Sequence, residues 1–252
     1  MDMRNIKLVI EYDGTKYCGW QSQKNGISIE DTLKSAIKSI INEDIKLIGS
    51  SRTDAGVHAK GQVANFYCES NIPTERLPFA INSKLPHDIV VLKAEDMPLD
   101  FHARYSSLGK RYSYTIFQRK IPPALMRSYV AFCPYELNYD LMRMAGEYFL
   151  GTKDFSAFKS SGSSVKTSVR TIRYLEFEKY DNIIRFEIEA DGFLYNMVRI
   201  IAGTLIDVGI GKIEPEDIES IIESKNRKRA GRTAPASGLC LEKVYYKNDD
   251  KA

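Results

Sequence analysis

Three observations predict an α+β protein made of two ferredoxin-like halves, with mostly antiparallel sheets joined around a central cleft. Apolar and polar residues alternate over strand-length runs, as at Ile6, Leu8, Ile10 and Tyr12. Between such runs lie segments whose apolar residues recur at helical spacing, as at Leu33, Ile37, Ile40 and Ile41. The two kinds of segment follow one another in the order β-α-β-β-α-β, and the order comes twice, the second time with an extra helix. The halves are expected at 1–104 and 105–252, with no fixed-period sequence repeat relating them.

The first strand closes at Asp13-Gly14, a turn pair. After Gly19-Trp20-Gln21, Ser28-Ile29-Glu30-Asp31 marks a helix start, because a serine hydroxyl can accept from the unpaired backbone N–H groups of a first turn. A strand is predicted over 45–51, a loop over 52–61 and a strand over 62–68. Pro73 opens a second helix that runs to Leu85, and 88–92 forms the fourth strand. The second half starts with alternation over 111–117, which puts Tyr112, Tyr114 and Ile116 on one face. A helix over 139–150, strands over 169–177 and 183–190, helices over 194–208 and 216–223 and a strand over 239–246 follow. Across 183–190, Ile184, Phe186 and Ile188 alternate with Arg185, Glu187 and Glu189, so one face of that sheet is polar. In the 194–208 helix, Met197, Ile200, Ile201, Thr204, Leu205 and Val208 form the core stripe, and Asn196, Arg199 and Gly203 fall on a different face. Gly192 and Gly203 hint at close approach by something else. The small, polar segment 159–166 reads as a surface loop without the spacing of a phosphate cradle.

Composition narrows the class. With 43% hydrophobic and 27% charged residues in 252, disorder and collagen-like structure are excluded. No apolar run approaches the roughly 20 residues of a membrane helix, and the N-terminus goes straight into a strand pattern, so a cytoplasmic protein is expected. Cys18, Cys68, Cys133 and Cys240 form no C-x-x-C pair, and His58, His87 and His102 have no metal-ligand spacing. Reduced thiols and no metal are expected. A net charge of +3 permits an anionic partner. Arg227-Lys228-Arg229-Ala230-Gly231-Arg232 is a basic run, and Lys110-Arg111 with Arg119-Lys120 brackets the Tyr112 strand. Fifteen tyrosines, several on strands beside Lys or Arg, suit a surface that stacks bases and grips phosphates. A solvated charged face and ordinary strand-filling tyrosines account for the same residues.

Arg52-Thr53-Asp54-Ala55-Gly56-Val57-His58-Ala59 links two strands and sets a carboxylate two residues after a guanidinium. An Asp beside a Gly ordinarily bonds its local backbone in a turn. Other stretches give this one its weight. Together with Tyr12-Asp13-Gly14-Thr15, Gly19-Trp20-Gln21, Lys110-Arg111-Tyr112-Ser113-Tyr114, Asp154-Phe155-Ser156-Ala157-Phe158, Asn196-Met197-Val198-Arg199 and Ala234-Pro235-Ala236-Ser237-Gly238-Leu239, it resembles the TruA family of tRNA pseudouridine synthases. The resemblance runs from about Ile6 to Tyr246. It implies that Asp54 is the catalytic aspartate, Tyr112 the base-contacting tyrosine, Arg199 the arginine paired with that aspartate, and Arg52 a further residue near the RNA. It also implies a homodimer acting on uridines 38, 39 and 40 of the tRNA anticodon stem-loop without a cofactor. Lys153 stands where the family pattern leads one to expect His, and Glu30 where it leads one to expect Gln.

The implied reaction breaks the C1′–N1 bond of uridine, turns the uracil and rejoins C1′ to C5, with no redox change. A carboxylate serves as nucleophile if a paired arginine keeps it ionised against burial. Arginine suits that purpose better than lysine, since its planar fork binds a carboxylate at two points and stays charged when buried. The target base must be turned out of its stack, at about a few kcal/mol. The Tyr112 ring offers the extruded uracil a stacking surface, and its hydroxyl is a candidate acceptor for the C5 proton if a neighbour lowers its pKa. Attack at C1′, attack at C6 and removal of a sugar proton all remain open to Asp54. Gly56 is expected to let the chain turn so that Asp54 projects into the cleft, facing Arg199 and Tyr112 from the other half. The competing class is a non-catalytic RNA-binding module, although the RRM aromatic signature is missing. A glycoside hydrolase would need a second carboxylate where this loop offers arginine.

Overall fold

A computed structural model describes residues 2–24, 26–162 and 167–247. Residues 163–166 of the expected surface loop lie outside the described residues. The chain divides into two compact units, one running to Leu108 and resuming at Leu241, the other Gly109–Cys240.

The first unit contains β1 (Arg4–Tyr12), α1 (Ile29–Ile41), β2 (Ile48–Gly49), β3 (His58–Cys68), α2 (Leu77–Asn82) and β4 (Ile89–Met97). Its sheet runs β4-β1-β3, with β2 on β3, and every pairing is antiparallel, which is the ferredoxin-like arrangement. Ile6, Leu8 and Ile10 are fully buried, as their alternation requires. The Ser28 hydroxyl caps α1 by accepting from Asp31 N at 3.0 Å, and the helix buries Ile29, Leu33, Ala36 and Ile37. Ile40 and Ile41 stay half-buried at its end.

Several boundaries differ from expectation: β4 runs on to Met97, five residues past the expected end. β2 is only Ile48–Gly49, because only these two residues pair with Asn65 and Ala64. β3 begins at His58 and so takes in the end of the expected loop. A bulge between Ile10 and Tyr12 lets pairing with β1 continue to Tyr12–Ala59. The second helix is split into a 3₁₀ turn at Thr74–Arg76 and the short α2, which carries Pro78 in its first turn, where the missing N–H costs nothing.

The second unit contains β5 (Gly109–Gln118), β6 (Ala131–Cys133), α3 (Tyr139–Glu147), β7 (Gly151–Asp154), β8 (Val169–Tyr180), β9 (Ile183–Ala190), α4 (Met197–Gly209) and α5 (Asp217–Ser224). Its sheet runs β5-β9-β8-β7 antiparallel, with β6 parallel to β5. The last strand, β10 (Leu239–Tyr245), starts in this unit and ends in the first. The polar face of β9 is neutralised internally: Arg111 meets Glu189 at 2.9 Å, Arg185 meets Glu187 at 2.7 Å, and Arg111 lies over the Tyr174 ring.

The helix α4 is buried on nearly all sides, not along one stripe. A Cβ at Gly203 would lie 1.7 Å from the Arg232 carbonyl oxygen, and Gly231 N donates to Thr204 Oγ1 at 2.9 Å. The close approach at Gly203 is therefore made by the backbone of the basic run. That run spends much of its charge on itself. Arg227 donates to the Ala230 and Gly231 carbonyls and to Thr233 Oγ1, and burial lowers its pKa. Arg229 holds Ser220. Among the described residues no helix is long and apolar enough to cross a membrane.

Candidate active site

In the first unit the Asp54 loop is held mainly through its backbone. Val57 N donates to the Asp54 carbonyl at 3.1 Å, closing a four-residue turn whose third residue, Gly56, has φ +76°. A positive φ at that position is what a type II turn demands, and glycine meets it without strain. Thr53, before the turn, is buried: its hydroxyl bonds the Tyr12 hydroxyl at 2.7 Å and its carbonyl accepts from Trp20 N at 3.0 Å. Two further glycines let the neighbouring chain close in. A Cβ at Gly19 would lie 2.5 Å from the Thr53 carbonyl oxygen, and one at Gly14 only 2.0 Å from that of Val57. Gly14 N donates to Nδ1 of the buried His58 at 3.1 Å. The motifs at Tyr12-Asp13-Gly14 and Gly19-Trp20 are thus the cradle of the Asp54 loop. Asp54 is half-buried, whereas Arg52 is exposed and donates to Gln21 Oε1 at 3.2 Å.

In the second unit Tyr112 sits on β5, only 7% exposed, with its ring edge-on to Phe193 at 5.2 Å between centroids. Arg199 lies in the first turn of α4. Its Nε donates to the Ala234 carbonyl at 2.8 Å and one terminal nitrogen to Asn196 Oδ1 at 2.9 Å. Asn196 caps the helix in a left-handed conformation, φ +60°, and its amide donates to Ser160 Oγ at 3.0 Å. Ala234 N returns a bond to the Arg199 carbonyl at 3.0 Å. Two fixed acceptors therefore aim the guanidinium, which a long, flexible side chain could not achieve alone. Sequence reading missed both acceptors as such. Asn196, three residues before Arg199 at the helix start, is the signal that was available.

Tyr114 is core and not a stacking surface. It is fully buried, stacks on Phe186 and donates to the Pro235 carbonyl at 2.8 Å. Burial pushes its hydroxyl pKa well above the ordinary tyrosine value, against the opposing charges of Arg199 and Arg232. Gly238 packs against the same ring. The Asp154 stretch is structural too: Asp154 accepts from Ser156 N and Oγ and meets Lys225 at 3.0 Å, and Ser156 first, then Lys225, holds its carboxyl below the usual range. Phe155 and Phe158 are fully buried. The two departures from the family pattern have local partners. Lys153 donates to the Tyr148 carbonyl, and Glu30 accepts from Ser22 N and pairs with Lys34 one turn on.

The first unit thus offers a carboxylate on a stiff, glycine-cradled turn, and the second an oriented guanidinium and a nearly buried phenol on a strand. Among the described residues no three His, Cys, Asp or Glu side chains cluster to hold a metal ion. A family model described as tRNA pseudouridine synthase matches residues 8–106 and 145–247. The chain is 57% identical, over 97% of its own length and 100% of the relative's, to tRNA pseudouridine synthase A of Acetivibrio thermocellus. With the same coverage it is 54% identical to tRNA pseudouridine synthase A 2 of Clostridium perfringens and 53% identical to tRNA pseudouridine synthase A of a Thermoanaerobacter species.

Proposed function

The chain belongs to the tRNA pseudouridine synthase family, an isomerase family acting on tRNA, and we propose that it converts uridines 38, 39 and 40 of the anticodon stem-loop with Asp54 as nucleophile. The observation that carries the assignment of Asp54 is its setting. The backbone on either side of it is pinned by Thr53, Val57 and the two glycines, so the main chain that carries the carboxylate is held at a defined place. Arg199 is the arginine that the resemblance pairs with this carboxylate, its planar fork suited to a two-point contact. Tyr112 receives the face of the uracil, and Arg52, exposed beside Gln21, contacts the RNA. The resemblance implies that no cofactor takes part. It also supports a homodimer.

The direct test incubates the protein with unmodified tRNA carrying 5-tritiated uridine and counts released tritium, with the modified positions then mapped. Release confined to 38, 39 and 40 is the expected result; no release above background on any tRNA would sink catalysis. Arg199→Lys is expected to lower kcat about tenfold to a hundredfold, because an ammonium keeps the charge but loses the two-point fork fixed by Ala234 and Asn196. Single-turnover rates at saturating enzyme measure it, and a lysine variant as fast as the wild type would remove Arg199 from the mechanism.

A further inference from the structure

Away from Asp54, the first unit carries a small aromatic structure that the reaction does not use. His102 Nδ1 accepts from the backbone N–H groups of Arg104 and Tyr105, at 3.2 and 3.3 Å. His102 N donates to Ser106 Oγ at 3.1 Å, and Ser106 N returns a bond to the His102 carbonyl at 2.9 Å. These four bonds fold 102–106 into a tight turn in which the His102 and Tyr105 rings lie 4.3 Å apart at 33°. The Arg104 guanidinium sits 5.9 Å from the Tyr105 ring centre. Tyr105 is nevertheless 78% exposed, so most of its surface is open to a partner.

The base of this turn is rigid. Ala103 is fully buried, its N–H held by Asn65 Oδ1 at 2.9 Å and its carbonyl by the Tyr246 hydroxyl at 2.6 Å. Asn65 donates onward to Asn5 Oδ1, and Asn5 to the Phe101 carbonyl. Scattered surface aromatics are common and mean little. Here an exposed ring is backed by a second ring, flanked by a cation and fixed to the sheet by buried amides, which is how a stacking surface is kept in place without a loss of entropy when it binds.

We propose that Tyr105, backed by His102 and flanked by Arg104, is a platform on which an unpaired base of the tRNA stacks, remote from the reacting uridine. A base offers a flat π-face of matching size, and its attached phosphate suits Arg104. The remoteness follows from β3. Asn65, which anchors the platform, stands seven residues beyond His58, at the far end of the strand from the Asp54 loop, roughly 23 Å away at about 3.3 Å per residue. Bases of the anticodon stem are paired and those of its loop adjoin the reacting positions, so the stacked base belongs to another part of the tRNA. This location rests on the anticodon stem-loop reading.

The test compares wild type, Tyr105→Ala and Tyr105→Phe, as full chains, on whole unmodified tRNA and on its isolated anticodon stem-loop. Tyr105→Ala is expected to raise KM for whole tRNA about tenfold with kcat within twofold, to leave KM for the stem-loop unchanged, and to be rescued by Tyr105→Phe. An unchanged KM on whole tRNA, an equal rise on the stem-loop, or a Phe variant as weak as Ala overturns it. So does a Tyr105→Ala protein that loses self-association in sedimentation while its KM holds, since the ring would then meet protein. A wild type inactive on every tRNA would condemn the activity reading instead; filter binding of whole tRNA, about tenfold weaker for Tyr105→Ala, still tests the platform.

Discussion

Asp54→Asn is expected to reduce pseudouridine formation by at least about a thousandfold while tRNA binding stays within a few-fold of wild type. The substitution is nearly isosteric, and the turn uses the Asp54 carbonyl, not its side chain, to accept from Val57 N. Thr53, Gly56 and the Tyr12 hydroxyl keep their bonds and conformation, so the fold of the loop survives. What goes is the negative charge and, with it, the nucleophilicity needed to form a covalent bond to the ribose or the base. Removing a negative charge from an RNA-binding surface also lowers repulsion of phosphate, so binding has no reason to weaken. Tritium release and filter binding at one fixed salt concentration separate the two quantities. An Asn variant within tenfold of wild-type activity would exclude Asp54 as nucleophile whatever its binding.

How far the sequence foretold this arrangement depends on the range of the interactions involved. Alternation at Ile6, Leu8 and Ile10, and the Ser28 cap of α1, are local, so strand and helix were legible there. The β6 and β7 strands span three and four residues, too few to show a period, and were not foreseen. The burial of α4 on its Gly203 side comes from Arg232, 29 positions later in the chain, and no pattern within the helix reports it. At the candidate site, residue types were visible and their partners were not. Asp54 beside Gly56 reads as turn chemistry, and it is a turn; what the residues alone could not show is that Tyr12, Gly14 and Gly19, about 40 positions earlier, are what hold it. Likewise Arg199 was singled out, but the Ala234 carbonyl that aims it carries no mark in a sequence, because every residue has one.

Gly14→Ala, which alters no proposed catalytic residue, is expected to lower kcat about a hundredfold and stability by about 1–3 kcal/mol. Gly14 has no positive φ, so the backbone itself tolerates alanine. The obstacle is the Val57 carbonyl oxygen, 2.0 Å from where the new Cβ would sit. That oxygen belongs to main chain and cannot swing away as a side chain does. Relief requires moving 14–16 or the 54–57 turn, and β3 begins at His58, directly after the turn, which limits how far either can go. Moving the turn shifts the Asp54 carboxylate, and moving 14–16 breaks the bond from Gly14 N to His58 that ties the two segments together. A displacement of about 1 Å at a nucleophile costs on the order of a hundredfold in rate. Because neither Arg52 nor the second unit is touched, KM for tRNA should change little, so the loss appears in kcat. Urea unfolding and single-turnover kinetics on one protein preparation read both effects. A Gly14→Ala enzyme that unfolds earlier yet keeps its wild-type kcat would show that the placement of Asp54 does not depend on this cradle.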